Sequence, residues 1–126
     1  MPTRITGAPA GSAFAGRHVL AELHGVDAAV LNDVDLLCTN LERALKEAGA
    51  TVCEIVSKRF EPQGATVVAL LAESHASVHT YPERGSVFVD VFTCGRRADP
   101  NEAVRLLGES LGAASIQLQM VHRGQW

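Results

Sequence analysis

The sequence predicts an α+β fold, a two-layer sandwich in which two helices cover one face of an antiparallel sheet. Apolar residues alternate with polar ones in several short segments, as in strands, and recur every three or four residues in two longer segments, as in amphipathic helices. Three strand segments follow one another without an intervening helix, which favours antiparallel pairing. The predicted order is β-α-β-β-β-α-β.

The first half of the chain supplies a strand, a long helix and a second strand. The strand is predicted at 18–25, HVLAELHG. A helix follows over about 28–48, with its apolar residues on one face, and Gly49 is placed to end it in a left-handed conformation. The segment 51–60, TVCEIVSKRF, alternates again and is closed by the turn-prone residues 61–64.

The second half supplies the three remaining strands and a helix. ATVVALLAES, 65–74, is apolar on both faces and predicts a central strand, and SVFVDVFTC, 86–94, is rich in Val and Phe. We expect the residues between them to form an extended segment or loop. A D-P-N-E capping box begins a helix over about 99–111. The last strand, SIQLQMVH, alternates over 115–122.

Composition limits the function classes. A chain of 126 residues is long enough for one core, so we expect a flexible tail over 1–15 and a single domain over 16–126. A formal net charge of −3 argues against a nucleic-acid partner. No apolar stretch is long enough to span a bilayer, and neither a secretory signal nor a disulfide framework is indicated. We expect a cytoplasmic protein whose partner is a small molecule or a second copy.

Reactive side chains are concentrated in the segment AESHASVHTYPE, 72–83. Each serine, threonine or histidine in it has an ordinary structural explanation, because such residues often cap turns or satisfy local hydrogen bonds. Turn chemistry does not require two histidines between two carboxylates, however. The cluster as a whole therefore indicates a functional site.

Two general chemistries remain open for this cluster. His75 and His79 with Cys94 as a third ligand would form a zinc site, although the segment is a poor helix and the histidine spacing suits a helix best. A serine-histidine-acid hydrolase is the other, but the G-x-S-x-G motif is absent around Ser74.

Four motifs occur in order at separations that carry a resemblance. They are GRHVLAELHG (16–25), FEPQGAT (60–66), ESHASVHTYPE (73–83) and VDVFTCG (89–95). On these motifs the chain resembles the prokaryotic S-adenosylmethionine decarboxylase proenzyme family, without obvious gaps from about Gly16 to Gly124.

The resemblance implies that the chain cuts itself at the Glu73–Ser74 bond, into a β chain 1–73 and an α chain 74–126. Ser74 would become a covalent pyruvoyl cofactor, His79 would be the processing base, and the Thr66 hydroxyl would aid processing. Ser74 and His79 are five residues apart and would point to opposite faces of an ideal strand. We therefore expect the segment to bend or bulge.

The resemblance also implies roles in decarboxylation. The pyruvoyl carbonyl forms a Schiff base with the substrate amine, and Cys94 donates a proton to carbon after CO₂ leaves. Phe60 matches an aromatic residue that contacts adenine, and Glu83 matches a carboxylate that binds the nucleoside. Tyr81 stands where many members have Trp, and Glu22 matches a family carboxylate. The structural alternatives are a β-branched strand residue for Thr66, a buried Cys94, a core Phe60 and solvent-exposed Glu22 and Glu83.

The implied assembly is a homodimer of cleaved protomers, in which the uncovered sheet faces pack into four layers. The implied substrate is S-adenosylmethionine, whose decarboxylated product donates an aminopropyl group in spermidine synthesis. A pyruvoyl decarboxylase of the same fold that acts on arginine or ornithine is the alternative. A metal-binding module and a non-processing homologue that serves as a binding subunit are the other classes.

Overall fold

The computed structural model describes residues 14–72 and 74–125. It contains a six-stranded antiparallel sheet with the helices packed on one face, which confirms the predicted two-layer arrangement. The strands are β1 (Ala15–His24), β2 (Val52–Arg59), β3 (Ala65–Leu71), β4 (Ser74–Tyr81), β5 (Ser86–Cys94) and β6 (Ser115–Gly124). The helices are α1 (Ala28–Leu31), α2 (Val34–Glu47) and α3 (Pro100–Leu111), with a 3-10 turn over Pro82–Arg84.

Strand order in the sheet is β2-β3-β4-β5-β1-β6, so β4 and β5 lie at its centre. Every neighbouring pair is antiparallel. The chain order therefore contains one more strand than predicted. The strand predicted over 65–74 ends at Leu71, and the histidine-rich segment after it forms β4.

Strand β4 has a weak strand pattern, which explains why it was missed. Its buried positions are Ala76, Val78 and Thr80, and two of these three side chains are small or polar. The residues that alternate with them, His75 and His79 among them, are polar. Apolar alternation is the main signal of a strand, and β4 carries little of it. Pairing with β3 and β5 on both sides determines its conformation.

The single helix predicted over 28–48 is also wrong in detail, because it is interrupted at Asn32 and Asp33. The Asp33 carboxylate accepts a hydrogen bond from the Leu36 N–H at 3.1 Å and thereby caps the start of α2. Gly49 follows the helix with a φ of 97°, as predicted for the residue that ends it.

The core lies between the sheet and the helices. One face of each strand is buried against apolar residues of α2 and α3, including Leu37, Leu41 and Leu107. The other face is uncovered in the described chain, and apolar side chains that remain 45–46% exposed lie on it. We call this surface the open face, and its exposed apolar residues include Leu20, Leu70 and Phe88.

The strand β1 begins at Ala15, one residue before the predicted start of the domain. Residues 1–13 of the predicted tail lie outside the described residues, as do Glu73 and Trp126. In the part of the chain that is described, no helix is long and apolar enough to cross a membrane.

Candidate active site

Ser74 is the first residue of β4, and its side chain belongs to the face that packs against the helices. Strand alternation places it on the same side as the buried residues Ala76 and Val78. Ser74 lines a cavity of about 190 Å³ at the end of the sheet. Thr93 and Cys94 at the end of β5 line the same cavity. The predicted nucleophile and the predicted proton donor are therefore brought together, while Glu73 lies outside the described residues.

Cys94 is exposed at the last position of β5. Besides the Ser74 cavity, it lines a second cavity of about 410 Å³, together with Phe92 and Arg123. The Arg123 guanidinium lies 4.8 Å from the centre of the Phe92 ring. Because Cys94 borders both cavities and is open to solvent, the alternative of a buried structural cysteine is wrong.

His79 lies on the open face near the opposite end of β4. Its Nδ1 is 3.0 Å from the Thr66 hydroxyl, and the two residues are directly opposed in the β3–β4 pair. The two residues to which the resemblance gives processing roles are therefore in hydrogen-bond contact. His79 also lines a groove of about 570 Å³ on this face, together with Glu22 and Phe88.

The expected bend between Ser74 and His79 is wrong. The register between β3 and β4 is continuous from Thr66 opposite His79 to Leu71 opposite Ser74. A regular strand places residues five apart on opposite faces and about 16 Å from each other. His79 of this chain therefore lies far from Ser74 of the same chain, and these two residues do not form the serine-histidine arrangement of a hydrolase.

The predicted substrate-binding residues lie at the His79 end of the sheet. Tyr81 packs on Phe88 with ring centres 5.0 Å apart and an interplanar angle of 52°. Glu83 is exposed in the 3-10 turn that follows β4. Phe60, just after β2, is 46% exposed, so the alternative of a core residue is wrong for it. The Glu22 carboxylate lies 3.1 Å from His24 Nε2, within hydrogen-bond distance.

A polar network that sequence reasoning missed crosses the centre of the open face. One carboxylate oxygen of Asp90 lies 2.7 Å from His18 Nε2 and 3.1 Å from His75 Nε2. The Ser77 hydroxyl donates to the other oxygen. An ionised carboxylate only accepts hydrogen bonds, so each Nε2 carries the hydrogen when Asp90 is charged. The sequence signal for this network was Asp90, a carboxylate in the middle of the apolar segment VFVDVF.

Partial burial raises the pKa of Asp90, but hydrogen bonds from Ser77, His18 and His75 outweigh it and hold the pKa below the usual aspartate value. The network therefore favours the charged carboxylate. This negative charge lies on a largely apolar surface.

The zinc site considered as an alternative from His75, His79 and Cys94 is not assembled. Over residues 14–72 and 74–125, the group with metal-ligand spacing is His18, His75 and Asp90, whose ligand atoms lie within 4.8 Å of one another. These three residues are already joined by hydrogen bonds.

Comparisons with known proteins agree with these motifs. The sequence model of the S-adenosylmethionine decarboxylase family matches residues 17–124. An S-adenosylmethionine decarboxylase proenzyme from Prochlorococcus marinus is 49% identical over 108 residues, which cover 86% of each chain. A proenzyme of the same name from Moorella thermoacetica is 43% identical over 109 residues, covering 86% of this chain and 87% of its own.

A solved structure has the same fold. The crystal structure of the adenosylmethionine decarboxylase from Aquifex aeolicus superposes with a TM-score of 0.80 at 40% sequence identity. The match covers 88% of this chain and 92% of that one. With the four motifs, the shared fold and these relatives in agreement, the chain belongs to the S-adenosylmethionine decarboxylase family.

Proposed function

We propose that this decarboxylase removes CO₂ from S-adenosylmethionine after cutting itself between Glu73 and Ser74. The relatives carry the names of decarboxylases and proenzymes, which supports both the reaction class and self-processing. The observation that carries the proposal is the cavity shared by Ser74 and Cys94, because one supplies the cofactor and the other a proton. The comparisons give no support to arginine or ornithine as substrate. The product would be the aminopropyl donor for spermidine.

The residues around Ser74 fit a pyruvoyl group. A serine hydroxyl beside a small cavity supplies the nucleophile, and Thr93 and Cys94 supply polar hydrogen atoms next to it. Once formed, a pyruvoyl group supplies a carbonyl that accepts the electrons released when CO₂ leaves. The cofactor would be covalently attached at the start of the α chain, residues 74–126.

Ser74 begins the processing reaction. Its Oγ attacks the carbonyl carbon of Glu73, and the peptide bond is converted into an ester as the proton moves from Oγ to the Ser74 nitrogen. A base must then remove the Cα proton of Ser74. His79 is the assigned base, with its Nδ1 positioned by the Thr66 hydroxyl so that Nε2 is left to take the proton.

Cys94 acts in the decarboxylation itself. A cysteine thiol is largely protonated at neutral pH and can donate its hydrogen to the carbon that has lost its carboxylate. Its place between the Ser74 cavity and the cavity lined by Phe92 allows it to face substrate.

The site is incomplete in one chain, because Ser74 and Cys94 lie at one end of the sheet and His79 at the other. Two chains that pack their open faces together with opposite strand directions would bring His79 of each to the end of the partner's sheet that carries Ser74. The exposed apolar residues of the open face, such as Leu70, favour this burial. We therefore assign a homodimer with two composite sites.

The His79 end of the sheet would hold the nucleoside. Phe60 and Tyr81 are exposed aromatic rings that can stack on adenine, and Glu83 is a carboxylate able to accept hydrogen bonds from ribose hydroxyls. Glu22, which lines the groove with His79, supplies a negative charge near a cationic substrate.

A complementation experiment tests the composite site. His79→Ala retains Ser74, and Ser74→Ala retains His79, so each variant alone should stay uncut. Coexpressed with different tags, they should form mixed dimers in which the His79→Ala chain is cleaved. Cleavage of that chain with loss of the Ser74 amine, when it is expressed alone, would contradict the assignment of His79 as the base. No cleavage in isolated mixed dimers would contradict the composite site.

The substrate is tested by CO₂ release from carboxyl-labelled compounds. Processed protein should release label from S-adenosylmethionine and not from arginine or ornithine. Release from either amino acid in preference to S-adenosylmethionine would overturn the substrate assignment while leaving the pyruvoyl chemistry intact.

A further inference from the structure

We infer that the Thr93 hydroxyl is a catalytic hydrogen-bond donor in self-cleavage at Ser74, which rests on the proposed function. The hydroxyl is buried beside Ser74 and has no partner among the described residues. Its partner is an oxyanion that exists only while the bond between residues 73 and 74 is being cut. No role for this residue follows from the motifs that identified the site.

Thr93 is buried at 2% exposure, and its hydroxyl oxygen has no hydrogen-bond partner among the described residues. A buried hydroxyl without a partner destabilises a fold, so most are satisfied. Thr80, the comparable buried threonine in β4, shows the ordinary case. Its hydroxyl accepts from the Ala65 N–H at 2.9 Å and donates to the Leu31 carbonyl at 2.9 Å.

The position of Thr93 relative to Ser74 follows from the register of β4 and β5. His75 lies opposite Phe92, so the next residue pair along these antiparallel strands is Ser74 and Thr93. Directly opposed residues in a sheet have side chains on the same face, with Cα atoms about 4.5–5.5 Å apart. Both residues line the cavity of about 190 Å³. The hydroxyl without a partner is therefore beside the nucleophile.

The chemistry of cleavage supplies the missing partner. When Ser74 Oγ attacks the carbonyl carbon of residue 73, a new C–O bond forms and the carbonyl electron pair moves onto its oxygen. That oxyanion belongs to the peptide unit bonded to the Ser74 nitrogen, so it forms next to the Ser74 backbone. A donor already placed beside such an oxygen stabilises it in the transition state.

The oxyanion collapses when the C–N bond breaks. The carbonyl is restored in the ester, and the proton released from Oγ ends on the Ser74 nitrogen. Thr93 contributes a hydrogen bond and no covalent step. Its hydroxyl gains a strong partner during the reaction, which accounts for why it has none among the described residues of the resting chain.

Thr93→Val tests this inference, because valine has nearly the same shape and lacks the hydroxyl. The chain is made by cell-free translation, synthesis is stopped, and the uncut fraction is followed on a denaturing gel. We expect cleavage to slow by about 10²-fold, a typical loss on removing one oxyanion donor. The melting temperature of the uncut chain should be unchanged or higher, because a buried polar group without a partner is removed.

Thr93→Ser and Thr80→Val are the matched controls. Thr93→Ser keeps the hydroxyl and should cleave within a few-fold of the unmodified chain. Thr80→Val loses a satisfied hydroxyl, so it should melt earlier but cleave normally below its melting temperature. Thr93→Ala provides a second hydroxyl-free variant and should be as slow as Thr93→Val.

The outcomes separate this inference from the proposed function. If the unmodified chain is never cut between residues 73 and 74, the proposed function fails. If it is cut and both hydroxyl-free variants are cut equally fast, the role of Thr93 fails alone. Equal slowing in Thr93→Ser would also overturn it, because the hydroxyl would then not be the cause.

Discussion

Ser74 and His79 lie five residues apart on one regular strand and on opposite faces of the sheet. Ser74 faces the helix layer beside Cys94, whereas His79 lies on the open face beside Thr66. Two residues assigned to the same reaction are thus separated by the geometry of the strand that carries both. The proposed homodimer would place His79 of one chain at the Ser74 end of its partner.

Replacing Ser74 by alanine should leave a single uncut chain without decarboxylase activity. No side-chain oxygen would remain to attack the Glu73 carbonyl, and no cofactor would form. Denaturing electrophoresis and labelled-CO₂ release measure both effects. Ser77→Ala is the control, since Ser77 is in the same strand but donates to Asp90. Normal cleavage of the Ser74 variant would exclude the assigned nucleophile.

Replacing Cys94 by alanine should slow turnover by about 10²–10⁴-fold if it is the proton donor, which is the range for general acid–base groups. Cofactor content should be determined first, so that only processed protein is compared. Product analysis should reveal wrong protonation of the substrate carbon. Cys53→Ala is the control, because it removes another exposed thiol, on β2. Unchanged turnover and product would remove the role of Cys94.

Replacing Asp90 by asparagine should destabilise the fold by about 1.5–3 kcal/mol at neutral pH, because hydrogen bonds to a charged group are lost. The folded pKa of Asp90 lies below the ordinary aspartate value of 3.8, so the unfolded chain binds the proton more readily. The stabilisation from the Asp90 charge is therefore fully present at pH values above the pKa of Asp90 in the unfolded chain. It is lost as the pH falls through the pKa of Asp90 in the folded chain.

Urea unfolding at neutral pH and below the unfolded pKa of Asp90 measures this difference. The gap between unmodified protein and Asp90→Asn should be large at neutral pH and shrink in acid. Glu54→Gln, on the exposed edge strand β2, should show a small effect at both pH values. A gap of the same size at both pH values would contradict the role given to the charge.

Replacing Leu70 by arginine should weaken the dimer. Leu70 is 46% exposed on the open face, and a charge there would be buried without a partner in the four-layer assembly. Light scattering at micromolar concentration should report dimers for the unmodified protein and a shift to monomers for the variant. Arg43→Glu, on the exposed side of α2, should remain dimeric. A monomeric unmodified protein would rule out the proposed assembly.

The layers of the fold and most elements were predictable from the sequence, because their apolar periodicities are strong. Strand β4 was not, since its inward residues Ala76 and Thr80 give little apolar signal and pairing with two neighbours decides its conformation. The break before α2 was missed because apolar periodicity continues through it, while Asp33 caps the second helix.

The sequence named candidate site residues but did not predict how they are arranged. Motif matches named Ser74, His79 and Cys94, and the pairing of His79 with Thr66 is present. In a regular strand, alternate residues lie on the same face. The segment was expected to bend and bring Ser74 and His79 together, whereas the regular strand β4 places them on opposite faces. Thr93 had a readable signal, a hydroxyl at an inward position after three buried valines of β5.

Intact mass of the purified, unmodified protein under denaturing conditions tests the central claim most directly. We expect two fragments, 1–73 and 74–126, the second lighter by one ammonia than the same fragment with an N-terminal serine. That deficit is the mark of a pyruvoyl group made from Ser74. A single chain, or a second fragment that retains its amine, would contradict the claim that this protein makes its own cofactor.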